Sequence, residues 1–308
     1  MKMLEHPEVT LFKSPLVHII EHHCRGVDTS GSDEEAAGGN QISFPRFGVY
    51  QKRNQLGEFL VDPNFVSFYQ KDQPYQVHHP VKSHYTDEAI YDISTIFEIS
   101  DDLLAQMFKK LGCYSENGPA FQNSIVKVSP TLKAQQYIIL NTLNRLQSDE
   151  HLEFEEAVLD FLFNVLAVCS EVQLAQFPCC RSGRARNDHR ELVEQVKLVI
   201  GKDFRQKLSL EDIAQQVHHT PFSLARIFKN HTGSTIHSYL LHTRLLHSLE
   251  HIMTGPLDHV GQIGVDLGFS TPSHFSTAFL GEFNLSPTAF RQQANAKSIL
   301  ETSNFLKA

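Results

Sequence analysis

Two copies of one short pattern, offset by 50 residues, constrain this chain more than any other feature. The first reads Ile213-Ala214-Gln215-Gln216-Val217, then His218-His219-Thr220-Pro221, then Phe222-Ser223-Leu224-Ala225-Arg226-Ile227-Phe228. The second reads Ile263-Gly264-Val265-Asp266-Leu267, then Gly268-Phe269-Ser270-Thr271-Pro272, then Ser273-His274-Phe275-Ser276-Thr277-Ala278-Phe279. An apolar-small pair, a short turn, a Thr-Pro helix start and large apolar residues four apart predict a helix-turn-helix unit in each. Ser209 with Asp212 three residues on forms a variant capping box. Thr220 is predicted to cap the next helix, with Pro221 in its first turn. Ala214 and Gly264 sit where two helices must cross closely. Residues 236–253 read as one long helix, with Tyr239, Leu240, Leu245 and Leu249 facing inward. It would hold two outward helices about 34 Å apart, the spacing of successive major grooves.

The charge balance qualifies this. The 308-residue chain has a net charge of −8, unlike most nucleic-acid binders. Residues 184–291 hold 11 basic and 10 acidic side chains, and the remainder holds 16 and 25. The C-terminal part is therefore near neutral, a weak electrostatic footprint. It also carries ten histidines (189, 218, 219, 231, 237, 242, 247, 251, 259 and 274). DNA affinity is thus expected to rise as pH falls from about 7.5 to 6 and imidazoles charge. With 41% apolar and 20% charged residues the composition is that of a soluble globular protein with room for two domains. No apolar run approaches the ~18 residues of a membrane span, so no membrane is expected. The first residues lack a signal peptide's apolar region, and five irregularly spaced cysteines argue against a disulfide framework. A cytoplasmic location is the expectation.

Upstream, the fold class reads as α+β. Short apolar or alternating runs at 9–12, 17–20, 42–44, 47–50, 58–61, 65–69, 75–78 and 90–99, separated by turn formers, predict a small β-barrel or sandwich. Residues 26–40 read as a loop. Helices are predicted over 101–111, 131–146 and 154–172. The stripe Tyr137, Leu140, Leu143 and Leu146 faces either the rest of the chain or a second subunit. The expected division is a sensor or dimerisation domain at 1–176, a linker at 177–189, an all-helical domain with two helix-turn-helix units at 190–292, and a tail at 293–308.

The C-terminal motifs, from Ile213-Ala214 through Thr220-Pro221, Arg226 and Arg244 to Gly268-Phe269-Ser270, Phe275, Phe279, Phe283, Ser286-Pro287 and Arg291, resemble the AraC/XylS family of bacterial transcription regulators. Upstream, Phe44-Pro45, Gly48, Asp62-Pro63, Tyr75 and His79-Pro80 resemble the cupin-like sensor domains attached to many such regulators. The resemblance implies a regulator, an activator for preference, whose partners are double-stranded promoter DNA, RNA polymerase, a small-molecule effector and a second copy of the chain. It implies DNA contacts from Thr220, Pro221, Phe222, Ser223, Ala225, Arg226 and Lys229 in the first unit. Thr271, Pro272, Ser273, His274 and Thr277 would contact DNA from the second. The chain departs from the family at His218-His219, where glycine and an apolar residue are usual, and at Asn284 in place of glycine. The second outward helix also lacks Arg and Lys. Arg226 has the chemistry for a bidentate guanine contact, so the first unit is expected to read sequence and the second to position the duplex.

An effector is expected among Phe44, Tyr50, Phe59, Phe68, Tyr75 and His78. His18, His22, His23, Cys24, Glu58, His78, His79 and His84 invite a metal, but the His-x-His, Glu, His order of metal cupins is absent, so neither metal nor cofactor is expected. Cys179-Cys180 reads as linker rather than thiol sensor. No phosphate loop, nucleophile elbow or metalloprotease motif is present, so an enzyme is not expected. The competing reading is a DNA-binding regulator without small-molecule input, controlled by its abundance or a partner protein.

Overall fold

The computed structural model describes residues 8–24, 34–80, 91–113, 121, 123–147, 150–172, 184–255 and 260–295. His84, Cys179, Cys180 and His259 lie outside them. The strands are β1 (Glu8–Lys13), β2 (Val17–Cys24), β3 (Glu35–Ala36), β4 (Asn40–Gly48), β5 (Tyr50–Asn54), β6 (Gly57–Val61), β7 (Phe65–Tyr69), β8 (Pro74–His78), β9 (Asp92–Ile99) and β10 (Ile125–Lys127). They form a six-stranded sheet, β1-β2-β9-β4-β7-β10, and a four-stranded sheet, β3-β8-β5-β6, with antiparallel pairing within both. Turn chemistry sets the corners. Asp62 Oδ1 accepts the Asn64 amide at 2.8 Å, which fixes the β6–β7 bend.

Period-2 alternation sorts the large sheet into two faces. Ile42 and Phe44 of β4, Val66 and Phe68 of β7, and Phe97 and Ile99 of β9 pack against α1 (Asp101–Lys110), α2 (Pro130–Leu143) and α3 (His151–Val172), whose Phe154, Phe161 and Leu162 complete the core. The opposite face meets the small sheet, where Tyr50 Oη lies 2.8 Å from Ser67 Oγ.

Four details differ from the sequence-based expectations. Pro45 does not end a strand: β4 runs through it, with a register shift between Pro45 and Phe47. Such irregularities are where a sheet tolerates proline. The two-residue β3, paired to β8, lies inside the expected loop. β10 adds to β7 at the sheet edge after α1, where only helices were predicted. The helix after the expected linker, α4 (Arg184–Asp203), starts five residues earlier than the 189 expected; Ala and Arg there are good helix formers.

The remaining helices are α5 (Leu210–Gln216), α6 (Pro221–Thr232), α7 (Ile236–Thr254), α8 (Val260–Asp266), α9 (Pro272–Phe283) and α10 (Pro287–Ala294). Their core gathers Val196, Ile213, Leu224, Phe228, Leu245, Leu249, Phe275, Phe279 and Phe290. α2 serves both cores: Leu132 and Ile139 face the first, Ala134, Tyr137 and Ile138 the second. Tyr137 and Leu140 are buried within the chain, and Leu143 and Leu146 pack on the first core. No described helix is long and apolar enough to cross a membrane.

A polar seam ties α7 to the sheets. The Tyr239 hydroxyl donates to Asp62, Asn64 Nδ2 to Thr243 Oγ1 at 3.4 Å, and Arg46 Nη1 to Glu250 Oε2 at 3.1 Å. Arg46 also pairs with Glu21. Asn141 of α2 donates to the Ala294 carbonyl at 2.7 Å.

Candidate nucleic-acid interface

Local chemistry builds each helix pair. Ser209 Oγ accepts the Asp212 amide at 3.1 Å while Asp212 Oδ2 accepts the Ser209 amide at 2.9 Å, a reciprocal capping box that starts α5. Ile213, Ala214 and Val217 are buried. The chain then turns through His218, which takes a left-handed φ of 52°. α6 begins at Pro221, but Thr220 makes no side-chain cap bond, contrary to the sequence-based expectation. α6 ends at Gly233, left-handed at φ 71°.

The second pair repeats this plan. The left-handed residue after α8 is Gly268, at φ 91°. A Cβ on Gly264 would stand 2.4 Å from Phe275 Cβ, so this position is what lets α8 and α9 cross. Thr271 does cap its helix, Oγ1 accepting the His274 amide at 3.1 Å. α9 ends at Asn284, with φ 56°.

Arg244 locks the second pair to the end of α4. Its Nε and Nη2 donate to the carbonyls of Phe204 and Gln206 at 2.7 and 2.8 Å. Gly268 lies beneath the same guanidinium, where a Cβ would meet Nη2 at 2.8 Å and the Arg205 carbonyl at 2.6 Å.

The outward faces carry the expected DNA-contact residues. On α6, Leu224, Ile227 and Phe228 point inward, leaving Thr220, Phe222, Arg226 and Lys229 exposed and Pro221, Ser223 and Ala225 half-buried. Phe222 is 82% exposed, a large apolar ring offered to solvent. Among the described residues neither Arg226 nor Lys229 has a hydrogen-bond or ion-pair partner. On α9, Thr271, Pro272, Ser273, His274 and Thr277 are all exposed. His274 is held by Ser270 Oγ at 3.1 Å and by the edge of Phe269. Leu280, 51% exposed, shares this face and was absent from the sequence-based set. Its spacing, three after Thr277 and seven after Ser273, is the signal that would have found it.

The histidine surface is smaller than its sequence count. His247 is buried in a stack with Phe204, centroids 4.2 Å apart, and beside Phe47 of β4 at 5.2 Å. Burial pushes its pKa down to about 3. His251 is lowered too, by burial first and then by Arg205. His247 therefore stays neutral between pH 7.5 and 6 in the folded chain, and His251 charges less readily than an ordinary imidazole, which corrects the sequence-based expectation for these two.

Of the residues expected around an effector, Phe68 and Tyr75 line one small recess, and Phe44, Tyr50, Phe59 and His78 are not part of it. Phe44 packs at 5.5 Å from Phe97 and 5.4 Å from Phe161, and Phe68 at 5.0 Å from Phe121, both on the helix side of the large sheet. Tyr50 and Tyr75 lie between the sheets, Tyr75 with its ring 4.7 Å from Tyr69. Phe59 pairs with Lys52 and shares its inward face. His78 pairs with Gln51 on the outward face; the inward histidine is its neighbour His79.

Residues 213–293 match the helix-turn-helix domain family. Over 132 residues the chain is 29% identical to the Msm operon regulatory protein of Streptococcus mutans, covering 43% of this chain and 46% of that one. Over 114 residues it is 32% identical to the HTH-type transcriptional activator RhaS of Salmonella schwarzengrund, covering 37% and 40%. The chain thus spans about half the length of the curated relatives it matches or less. A transcriptional regulator structure from Chromobacterium violaceum, described as having an AraC-type DNA-binding domain, is 29% identical and covers 37% of this chain and 99% of that chain at a TM-score of 0.31. The repeated helix pairs and these sequence matches show a helix-turn-helix domain over residues 213–293, similar to those of bacterial transcription regulators.

Proposed function

We propose that the chain is a sequence-specific regulator that sets α6 and α9 of two helix-turn-helix units into successive major grooves of promoter DNA. The observation that carries this is the pair of outward faces, free of internal ion pairs on α6 and rich in exposed hydroxyls on α9. In this reading Arg226 reads a guanine, Lys229 reaches a phosphate, and Phe222 and Leu280 lie against thymine methyls or sugars. Thr271, Ser273, His274 and Thr277 donate to phosphates or base edges. The division at 1–176, 177–189, 190–292 and 293–308 is part of this proposal, the first segment being a cupin-like sensor or dimerisation domain. Activation through RNA polymerase belongs to the same proposal.

Selection of bound duplexes from a random pool by the full chain tests it. A defined half-site pair recovered in repeat selections is the expected result. Unenriched pools at low salt would remove the reading.

A second reading is regulation without a small-molecule effector, and one recess among the described residues bears on it. The recess between Lys52, Tyr69, Gln70, Tyr75 and Phe121 has room for little more than a water molecule. An effector entering there must move side chains. Thermal stabilisation of the chain by a member of a metabolite panel would favour the sensor; a flat panel favours control by abundance or a partner.

A further inference from the structure

The space between the two sheets is polar at one end. β2 closes with Cys24, whose cross-strand partner is Asp92 at the start of β9, so the two side chains share a face. His79, just after β8, reaches them from the small sheet. The three are 4%, 4% and 6% exposed, respectively. His79 Nε2 lies 2.6 Å from Asp92 Oδ2, Ser94 Oγ donates to Asp92 Oδ1 at 3.2 Å, and His79 Nδ1 is 3.9 Å from Cys24 Sγ. The rings of Tyr91 and Tyr50 flank the imidazole at 5.3 and 6.3 Å. One donor atom from each of Cys24, His79 and Asp92 lies within 4.8 Å of the other two.

We propose that Cys24, His79 and Asp92 bind a divalent transition ion of the zinc class, with the fourth position open. Donor chemistry selects the ion. A thiolate with an imidazole suits borderline-soft metals, whereas magnesium and calcium take all-oxygen shells. Metal–sulfur bonds of about 2.3 Å and metal–nitrogen or –oxygen bonds of about 2.0–2.2 Å place tetrahedral donors about 3.4–3.6 Å apart. His79 turns Nε2 to Asp92 and Nδ1 to Cys24, so binding one ion rotates the imidazole until a single nitrogen faces both partners. On binding, the His79–Asp92 hydrogen bond gives way to coordination by both. The Ser94–Asp92 bond stays and orients the carboxylate, as outer-shell partners do. Cys24 and Asp92 sit on paired strands, which fix them better than a loop would. A buried carboxylate is stable when paired or metal-bound, and among the described residues the ion-pair partner of Asp92 is His79 alone. The sequence offered Cys24 and His79 among its candidate ligands but not Asp92, 13 residues after His79. The β2–β9 register brings Cys24 and Asp92 together.

The test uses the full chain, stripped with a chelator and titrated with cobalt(II), then zinc(II). Stoichiometric cobalt uptake with a thiolate-to-cobalt charge-transfer band, displaced by zinc, is expected. Cys24→Ser abolishes the band, and Ser94→Ala weakens zinc binding about tenfold. A Cys179→Ser/Cys180→Ser double variant keeps the band. A wild-type chain without the band overturns the proposal and leaves His79 and Asp92 as a plain buried pair. So does a band that survives Cys24→Ser or disappears with Cys179 and Cys180. Should Cys24→Ser not fold, His79→Gln replaces it: affinity falls at least about tenfold, and unchanged uptake overturns the site.

Discussion

At the turn between α5 and α6 the left-handed residue is His218; at the corresponding turn between α8 and α9 it is Gly268. The hydrogen bonds around both are the same. His218 N reaches Gln215 O at 3.2 Å and His219 N reaches Ala214 O at 2.8 Å. In the second pair Gly268 N reaches Val265 O and Phe269 N reaches Gly264 O, each at 2.9 Å. The crossing point is Ala214 in one pair and Gly264 in the other, where the approach of Phe275 leaves no room for a methyl group. The first pair presents two unpaired cations, the second none. One backbone plan therefore tolerates quite different fittings. The fold needs a tight turn, a close crossing and an apolar inner face. The outer face is free to differ, so the pairs can divide reading from positioning.

The comparison assumes that α7 carries both pairs as one body, and acid tests that assumption with the largest effect. His247 on α7 has a folded pKa of about 3 against an ordinary 6.5. The neutral form is favoured by folding, so its contribution is complete above pH 6.5 and is lost as pH falls towards 3. The loss reaches about 4 kcal/mol across that window. His247→Phe, which keeps the stack without the proton, should flatten this part of the stability profile measured by denaturant unfolding. Unfolding of the two pairs at separate midpoints would break the single-body picture.

Next in size is the crossing. Gly264→Val should cost about 3 kcal/mol of stability by overpacking against Phe275, whereas Ala214→Gly should cost about 0.5–1 kcal/mol. Equal costs, measured by the same unfolding, would remove the distinction. Arg226→Ala should then lose about 1–3 kcal/mol of discrimination at one base pair. Thr277→Ala should lose less, and more evenly across sequences. Base-by-base competition binding decides between them, and equal losses of specificity would end the asymmetric reading. The smallest effect is His218→Gly, expected to stabilise the chain by roughly 0.5–1 kcal/mol by relieving a left-handed histidine. A loss of stability there would mean that the histidine ring supports the turn.

The helix pairs were legible because their signals are local. Ala214, Gly264, Tyr239, Leu240, Leu245 and Leu249 all follow from the repeated pattern and helical spacing, and could be assigned without knowing what lies opposite. The positions of most strands along the chain were legible for the same reason, as the turn residues at Asp62 and Gly57 show. What stayed hidden depends on pairing across long separations. Asp62 and Tyr239 are 177 residues apart, and neither alone announces a seam. Alternation shows that Phe44 and Phe68 share a face, but only the placement of α1, α2 and α3 shows that this face is not the inter-sheet one. His78 and His79 differ by a single register step, which reverses which of them points inward. The ten histidines look alike in sequence, and only the structure shows that burial pushes the pKa of His247 down to about 3 and lowers that of His251.

The seam along α7 also bears on how such a protein can be taken apart. A fragment cut at 184 keeps both helix pairs but leaves Tyr239, Thr243 and His247 facing water, with Asp62, Asn64 and Phe47 gone. The face of α2 that covers this core, with Ala134, Tyr137 and Ile138, would be missing as well. Grafting these helix pairs onto another N-terminal domain is therefore a matter of rebuilding a wall, and a recipient lacking that wall would present a bare, partly apolar flank to its neighbours.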